Sequence, residues 1–361
     1  MTILLLSFGF IFLIAGAEAL VRGASRMAAD LGVSPLVIGL TVVAFGTSSP
    51  ELAVSIKSAL SGQNGIALGN VIGSNIFNIL FILGLSALII PLTVNQQLIR
   101  FDVPLMVLLS VIVLLLSLDH NFGHFDGSIL LIGLAFYIII LIYKSRKEST
   151  VVIEEYENRY SLEMSIRHVW IKNAGLIIGG LIMLIFGSRW LVDGAVSFAR
   201  YLGVSELVVG LTIVAAGTSL PEVVTSVIAA VHRERDIAVG NVVGSNIFNM
   251  MGVLGVAGVV APTGIEVSTA VIGFDLPVMI AVSLICLPIF FTGGVISRLE
   301  GALMLGYYVA YTVYLILAAT QHDALPAFNT VVLYFIIPLT VIMFILVTLK
   351  EIRRRKYGLS K

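Results

Sequence analysis

The sequence predicts an all-α polytopic membrane protein with two inverted five-helix repeats and one accessory C-terminal helix, about 11 transmembrane helices in all. Three observations support this fold class. The 361 residues are 58% hydrophobic and 12% charged, with a mean hydropathy of +1.07, which excludes an ordinary soluble domain. Apolar runs long enough to cross a bilayer recur along the chain. Two sequence motifs also occur twice, both at an offset of 171 residues.

Eleven apolar runs reach the length that a membrane-spanning helix needs, about 17 residues or more. They are residues 2–22, 34–60, 66–90, 102–118, 127–143, 173–193, 205–231, 237–260, 270–292, 300–318 and 328–349. We expect four regions: a first repeat (1–143, spans 1–5), a cytoplasmic linker (144–172), a second repeat (173–320, spans 6–10) and an accessory span with a basic cytoplasmic tail (321–361). Five spans per repeat is an odd number, so the second repeat enters from the opposite face and the repeats are inverted.

Basic residues predict the orientation, because short loops rich in Lys and Arg stay in the cytoplasm. With the 144–172 linker inside, 18 of the 21 Lys and Arg lie on the cytoplasmic side, and only Lys57, Arg189 and Arg200 do not. The N-terminus is therefore predicted outside and the C-terminus inside. The compact chain and the lack of a targeting segment favour the plasma (inner) membrane of a prokaryote. The bilayer is the expected partner, and a net charge of zero gives no basis for binding nucleic acid.

The first duplicated motif lies inside an apolar span in each half. Gly46–Glu51 reads GTSSPE, and Gly217–Glu222 reads GTSLPE. A proline has no N–H to donate and clashes with the preceding turn, so the helix should break just before each glutamate. An ionisable side chain inside a membrane span is costly and is a functional hypothesis by default. The two breaks are predicted to meet near the bilayer midplane.

The second motif follows one span later. Gly69–Asn78 reads GNVIGSNIFN, and Gly240–Asn249 reads GNVVGSNIFN. Ser74 and Asn78 are four residues apart, so they face one side of their helix. Together the motifs supply carboxylate, amide, hydroxyl and backbone carbonyl oxygens, without sulfur or imidazole. Such a ligand set suits hard cations such as calcium, sodium or magnesium.

Charge balance then indicates a reaction class. Two glutamates carry a formal charge of −2, which one divalent ion, or two monovalent ions or protons, would balance. An unpaired buried charge costs on the order of several kcal/mol. A site that must not be left empty favours exchange of one cation for another over one-way transport, so the residues predict antiport.

The paired GTSxPE and GNxxGSNxxN motifs resemble the alpha repeats of the sodium/calcium exchanger (calcium/cation antiporter) superfamily, most closely its prokaryotic members, which lack large cytosolic calcium-sensing domains. The resemblance implies a secondary active antiporter that exchanges sodium for calcium by alternating access. It implies no enzyme activity and no cofactor, since calcium and sodium are the transported ions. It also implies that spans 1 and 6 slide against the remaining helices.

The resemblance further implies two overlapping ligand sets. The calcium ligands would be Glu51, Glu222, Thr47, Thr218, Asn78 and Asn249. The sodium ligands would be Ala44, Thr47, Ser48, Glu51, Ser74, Ala215, Thr218, Ser219, Glu222 and Ser245. Many sodium/calcium exchangers carry an aspartate at the position of Asn249. The site here has two carboxylates instead of three, which leaves the divalent cation and the sodium stoichiometry open.

The sequence also allows three other functions to be compared with antiport. A proton-coupled calcium or other cation exchanger is the alternative within transport, but such exchangers usually place a glutamate in the second motif, and neither copy here has one. A channel tolerates weaker sites, whereas two facing carboxylates indicate occlusion of the ion. An intramembrane enzyme is disfavoured because the sequence holds no HExxH motif and no paired intramembrane aspartates.

Several flanking polar residues have a structural interpretation beside the functional one. Asn75 and Asn246 are expected either to bond neighbouring helices or to bind the ion. Asn70 and Asn241 are interpreted as possible caps at the start of their helices, and Asp102 and Asp275 as helix-start residues ahead of a proline. The pairs Glu18–Arg22 and Arg189–Asp193 are expected to be end-of-helix ion pairs, with a cross-repeat latch of one access state as the sharper hypothesis.

Overall fold

The computed structural model describes residues 2–147, 166–201, 215–291, 293–336 and 338, and these are almost entirely helical. The helices are α1 Thr2–Leu31, α2 Pro35–Thr47, α3 Ser49–Leu60, α4 Asn64–Ile89, α5 Leu98–Leu116, α6 His124–Lys147, α7 Ile166–Tyr201, α8 Leu220–Val231, α9 Arg235–Val260, α10 Val271–Phe291, α11 Arg298–Ala319 and α12 Leu325–Tyr334. A one-turn helix, Ala215–Gly217, precedes α8. Four two-residue strands are β1 Leu92–Thr93, β2 Asn121–Phe122, β3 Ile265–Glu266 and β4 Val295–Ile296.

The described part of the chain contains eight helices that are long and apolar enough to cross a membrane. Helices α2 and α3 meet at a 46° bend and give a ninth crossing when the bent pair is counted as one span. These helices coincide with nine of the predicted spans. The predicted span 205–231 is described only from residue 215 onward, and the predicted span 328–349 lies mostly outside the described residues, as does most of the 144–172 linker.

The two halves contact each other reciprocally. Strand β1 pairs antiparallel with β4, and β2 pairs antiparallel with β3. Since β3 lies 173 residues after β1, and β4 lies 174 after β2, the two pairings are equivalent under exchange of the halves. Ser110 Oγ lies 3.2 Å from Ser283 Oγ, its counterpart 173 residues later. Self-equivalent contacts of this kind indicate a pseudo-two-fold relation between the repeats.

Small residues bring α1 and α7 together along their lengths as an antiparallel pair. A Cβ added at Gly16 would lie 2.8 Å from the carbonyl oxygen of Gly180, and one added at Gly9 would lie 2.9 Å from that of Gly187. Such close approach of backbones is typical of helix packing in membranes. The motif helices α4 and α9 occupy the centre, because 72% and 83% of their most apolar stretch is buried, against 6% for α11.

The motif helices are not regular α-helices throughout. A π-helical turn covers Asn78–Leu83 in α4, and another covers Asn249–Val253 in α9. Both turns begin at the last asparagine of the duplicated motif. A π turn inside an α-helix often marks a functional site. The sequence pattern did not predict this feature.

The interpretation of Asp102 as a helix-start residue is wrong. Helix α5 begins at Leu98 with a π-helical turn that ends at Asp102. The Asp102 carboxylate is buried and accepts hydrogen bonds from the Tyr137 hydroxyl at 3.0 Å and from the Gln97 amide at 3.2 Å. These tertiary partners override the local capping preference. Asp275 likewise follows the start of α10, at the end of the π turn Val271–Asp275.

Candidate functional site

Two breaks in the apolar segments create the central site. The first falls at Ser48, between α2 and α3, where the predicted break is confirmed. The regular helical hydrogen bonds start again with the bond from the Leu52 N–H to the Ser48 carbonyl at 3.1 Å. The Thr47 carbonyl therefore lies at the break, before the first of these bonds. The second break has the same local geometry, with the Val223 N–H bonded to the Ser219 carbonyl at 3.1 Å.

Each break contacts the glutamate of the other repeat. Ser48 Oγ donates to Glu222 Oε1 at 3.0 Å, and Ser219 Oγ donates to Glu51 Oε1 at 2.9 Å. All four side chains are completely buried. The sequence predicted that the two breaks meet, and the structure brings them together in this crossed arrangement. Two carboxylates and two hydroxyls therefore share one buried site.

Several oxygens of this site have no protein partner among the described residues. They are the second carboxylate oxygen of both glutamates and the side-chain carbonyl oxygens of two asparagines: Glu51 Oε2, Glu222 Oε2, Asn78 Oδ1 and Asn249 Oδ1. Leaving a buried polar atom unsatisfied costs about 1–3 kcal/mol, and more for a charged group. All four residues belong to the predicted calcium set. An all-oxygen set with two negative charges fits a hard cation as cargo.

The hydroxyl and amide groups around the glutamates form two clusters. Thr47 Oγ1 donates to Asn241 Oδ1 at 3.1 Å, and it also lies 3.5 Å from Ser245 Oγ and 3.4 Å from the Ala44 carbonyl oxygen. On the other side, Ser74 Oγ lies 3.2 Å from Ser219 Oγ. Most of the predicted sodium set is thus brought together.

Of the two remaining members of the predicted sodium set, Thr218 joins the second cluster. Thr218 Oγ1 donates to Asn70 Oδ1 at 3.5 Å. Ala215 begins the one-turn helix before the second break, and its side chain lies outside the described residues.

The interpretation of Asn70 and Asn241 as helix caps is wrong. Helix α4 begins at Asn64 and α9 begins at Arg235, so both asparagines lie well inside a helix. Asn70 Nδ2 donates to the Glu51 carbonyl and to Ser55 Oγ, both at 2.9 Å. Each asparagine therefore bonds the neighbouring glutamate helix instead of its own helix terminus.

Sequence reasoning missed two serines of this network, Ser55 and Ser226. Asn241 Nδ2 donates to Ser226 Oγ at 2.9 Å and lies 3.5 Å from the Glu222 carbonyl oxygen. A signal was available, because each serine follows its glutamate by four residues and the two serines are 171 residues apart.

Asn246 provides a helix–helix contact. Its Oδ1 accepts a bond from Asn78 Nδ2 at 3.0 Å, and its Nδ2 donates to the Asn75 carbonyl at 3.3 Å. The structural alternative therefore holds for Asn246. The equivalent bond in the other half would run from Asn249 Nδ2 to Asn75 Oδ1, and it is not made. Asn249 Nδ2, Asn249 Oδ1 and Asn75 Oδ1 all have no partner among the described groups.

Glu18 connects the two repeats outside the site. It forms an ion pair with Arg22 on α1, as the spacing predicted. Its second oxygen lies 3.2 Å from Nε2 of His232, the C-cap residue that directly follows α8. The pair is therefore more than a contact within one helix, because it reaches the glutamate helix of the second repeat.

Comparison with known proteins gives concordant matches. Residues 1–143 and 172–317 match the family described as sodium/calcium exchanger protein. The inner membrane protein YrbG of Escherichia coli (strain K12) is 38% identical over 282 residues, 78% of this chain and 86% of that protein. The sodium/calcium exchanger MaX1 of Methanosarcina acetivorans is 33% identical over 343 residues, 86% of this chain and 97% of that protein. A solved structure of the sodium-calcium exchanger NCX_Mj, soaked with Na⁺ and Sr²⁺, aligns with a TM-score of 0.73 at 31% identity, covering 85% and 96% of the two chains.

Proposed function

We propose that this chain, which belongs to the sodium/calcium exchanger protein family and is a multi-pass membrane cation antiporter, exchanges sodium for calcium. The exchange takes place at the site between the two helix breaks. Exchange proceeds by alternating access, with the site facing one side of the membrane at a time. The names of MaX1 and NCX_Mj state sodium/calcium exchange for those two proteins. Here the proposal rests also on the residues of the site.

The crossed pairing of serines and glutamates carries this proposal. Glu51 and Glu222 are fully buried, and each is bonded by the serine of the opposite repeat. The two carboxylates therefore belong to one site with a charge of −2. One calcium ion balances that charge, and so do two sodium ions with shared ligands. Because both cargoes need the same carboxylates, they exclude each other, which is the physical requirement for exchange.

The residues divide into two overlapping roles. We assign calcium to the carboxylates of Glu51 and Glu222, the backbone carbonyls of Thr47 and Thr218, and the Asn78 and Asn249 side chains. The unpartnered oxygens of these glutamates and asparagines support that assignment. Sodium takes the flanking hydroxyls and carbonyls of Ala44, Thr47, Ser48, Ser74, Ala215, Thr218, Ser219 and Ser245, together with both glutamates.

Helices α1 and α7 are the moving pair in this proposal. Their glycine-lined contact holds them together along their lengths, so they slide as one unit against the remaining helices. The predicted orientation places the N-terminus outside and the C-terminus in the cytoplasm. The proposal also retains, as a prediction, the first repeat at 1–143, the linker at 144–172, the second repeat at 173–320 and the accessory span with its tail at 321–361.

Uptake of radioactive calcium into proteoliposomes tests the proposal. Vesicles loaded with sodium and diluted into sodium-free buffer should take up calcium, and Glu51→Gln or Glu222→Gln should abolish the uptake. Glu300→Gln is a matched control, because Glu300 caps α11 away from the site. A proton gradient is applied in parallel. Uptake driven only by protons would replace the proposal with a proton-coupled exchanger, and no calcium flux under either gradient would overturn the choice of calcium.

A further inference from the structure

The amide of Asn241 joins three groups of the central site. Its Nδ2 donates to Ser226 Oγ at 2.9 Å and lies 3.5 Å from the Glu222 carbonyl oxygen. Its Oδ1 accepts a bond from Thr47 Oγ1 at 3.1 Å. The first two groups lie on the glutamate helix of the same repeat, and the third lies at the break of the opposite repeat. One side chain therefore bonds both halves.

Asn70 repeats the arrangement in the other half. Its Nδ2 donates to Ser55 Oγ and to the Glu51 carbonyl, both at 2.9 Å, and its Oδ1 accepts from Thr218 Oγ1 at 3.5 Å. Because the same three contacts occur in both halves, the network is a property of the duplicated motif and not of the local packing in one half. The structure thus gives these two asparagines a tertiary role in place of the predicted capping role.

The two donor bonds fix the direction of the glutamate. Glu222 and Ser226 are four residues apart, so the Glu222 carbonyl and the Ser226 hydroxyl lie on one face of α8. An amide held against both groups restrains the rotation of α8 about its axis. The same holds for Glu51 and Ser55 on α3. The carboxylate attached to each helix is thereby aimed into the site.

The acceptor bond fixes the direction of the threonine hydroxyl. A hydroxyl has one proton to donate and two lone pairs that accept. When Thr47 gives its proton to Asn241 Oδ1, the lone pairs of Thr47 Oγ1 remain available to a cation. An aspartate at position 241 would keep this acceptor but lose both donor bonds, and a leucine of similar size would lose all three.

We propose that Asn70 and Asn241 are positioning residues: each aims the glutamate of its own repeat and orients the threonine of the other repeat as a cation ligand. This inference rests on the proposed function of the same site. Asn241 is completely buried, whereas Asn70 is half-buried and its bond to Thr218 is longer. Substitution of Asn241 should therefore have the larger effect.

Calcium-dependent thermal stabilisation of the purified protein tests this role without a transport assay. A cation at free concentration c that binds only the folded state stabilises it by RT ln(1 + c/Kd), so the concentration needed to reach one fixed rise in melting temperature is proportional to Kd. We call that concentration the half-effective concentration and set the fixed rise at half of the wild type's rise at the highest calcium concentration used. Calcium chloride is titrated in sodium-free choline buffer. Asn241→Leu should raise the half-effective calcium concentration by about 10- to 100-fold, the usual cost of removing a group that orients a metal ligand. Asn70→Leu should shift it in the same direction by less.

A double-substitution cycle separates positioning from general loss of structure. The Thr47 hydroxyl is a sodium ligand in the proposed function, so this cycle is measured with sodium chloride in place of calcium chloride. If Asn241 acts through that hydroxyl, Thr47→Val combined with Asn241→Leu should cost less sodium affinity than the sum of the single effects. Thr47→Ser keeps the hydroxyl and should keep the affinity. The control is Asn173→Ala, which removes another buried asparagine that donates to Asp30 Oδ2 at 2.7 Å. That variant should melt earlier with an unchanged half-effective calcium concentration.

The outcomes distinguish this inference from the proposed function. A wild-type protein that neither calcium nor sodium stabilises would overturn both. A stabilised wild type with Asn241→Leu and Asn70→Leu unchanged within about twofold, the precision that additivity tests allow, would overturn the positioning role alone. Should Asn241→Leu fail to fold, the half-effective calcium concentrations of Asn241→Asp and of Asn70→Leu, at the half-buried position, test the positioning role in its place.

Discussion

The two halves of the site carry the same residues but do not make the same bonds. In both halves a serine donates to the glutamate across the interface, at 3.0 Å for Ser48 and 2.9 Å for Ser219. The last asparagine of the second motif differs. Asn78 donates to Asn246 at 3.0 Å, whereas neither polar atom of the Asn249 side chain has a partner among the described groups.

This difference is conformational, because the chemistry of the two copies is the same at these positions. Inverted repeats that exchange their conformations generate the opposite access state of a transporter. In the opposite state we expect Asn249 to donate to Asn75 and Asn78 to lose its bond to Asn246.

The largest effects are expected at the carboxylates, where the halves are equivalent. Glu51→Gln and Glu222→Gln should each reduce calcium affinity by the same amount. Removing one partner of a buried charge pair costs about 3–5 kcal/mol, which is on the order of a hundredfold or more in affinity. Calcium titration followed by melting temperature measures both variants, with Glu300→Gln as the control. A loss of calcium affinity in only one of the two variants would show that the two glutamates do not share a site.

The next prediction concerns the asparagines, where the halves differ. Asn78→Asp loses the bond to Asn246 Oδ1 and brings two acceptor oxygens together, so it should destabilise the protein by about 1–3 kcal/mol. Asn249→Asp loses no described bond and adds a third carboxylate, so it should fold and hold divalent cations more tightly. Melting temperatures with and without calcium check both variants. Equal destabilisation by the two substitutions would contradict the described asymmetry.

Removing either crossing hydroxyl should have an intermediate and equal effect. Ser48→Ala and Ser219→Ala each delete a hydrogen bond to a carboxylate, and such bonds contribute about 1.5–3 kcal/mol. The half-saturating calcium concentration in the uptake assay should rise at least about tenfold in both. Ser86→Ala is the matched control, since Ser86 is buried in α4 away from the duplicated motifs. An unchanged value in one of the two variants would break the two-fold description.

The smallest effect is expected at the Glu18 ion pair, which lies outside the site. The side chains of Glu18 and His232 remain 27% and 35% exposed, and ion pairs of this kind contribute about 0–1 kcal/mol. Glu18→Gln and His232→Gln should change the maximal rate of exchange by about twofold and leave calcium affinity unaltered. Uptake kinetics separate the two quantities. Unaltered rates in both variants would exclude a latch between α1 and the second repeat.

The sequence was sufficient to predict the parts that depend on local chemistry and on duplication. A proline inside an apolar span predicted the break at Ser48, and the common offset of 171 residues predicted that Glu51 and Glu222 meet. Both inferences use rules that hold wherever the surrounding helices lie.

The remainder depends on the arrangement of helices in space. The π turns at Asn78 and Asn249, and the choice of Asn246 as the partner of Asn78, leave no periodic signal in the sequence. The interpretation of Asp102 failed for the same reason, because its Phe-Asp-x-Pro context predicts a helix start while its actual partners are Tyr137 on α6 and Gln97, which directly precedes α5. Partner choice between separate helices is the information that a single sequence does not carry.

The number of calcium ions bound per chain tests most directly the claim that both repeats build one site. Equilibrium dialysis with radioactive calcium, in sodium-free buffer, should give one high-affinity calcium per chain for the wild type. Either Glu51→Gln or Glu222→Gln alone should remove that binding completely. Two calcium ions per chain, with each substitution removing only one, would show that the repeats hold separate sites and would contradict the crossed arrangement of their glutamates.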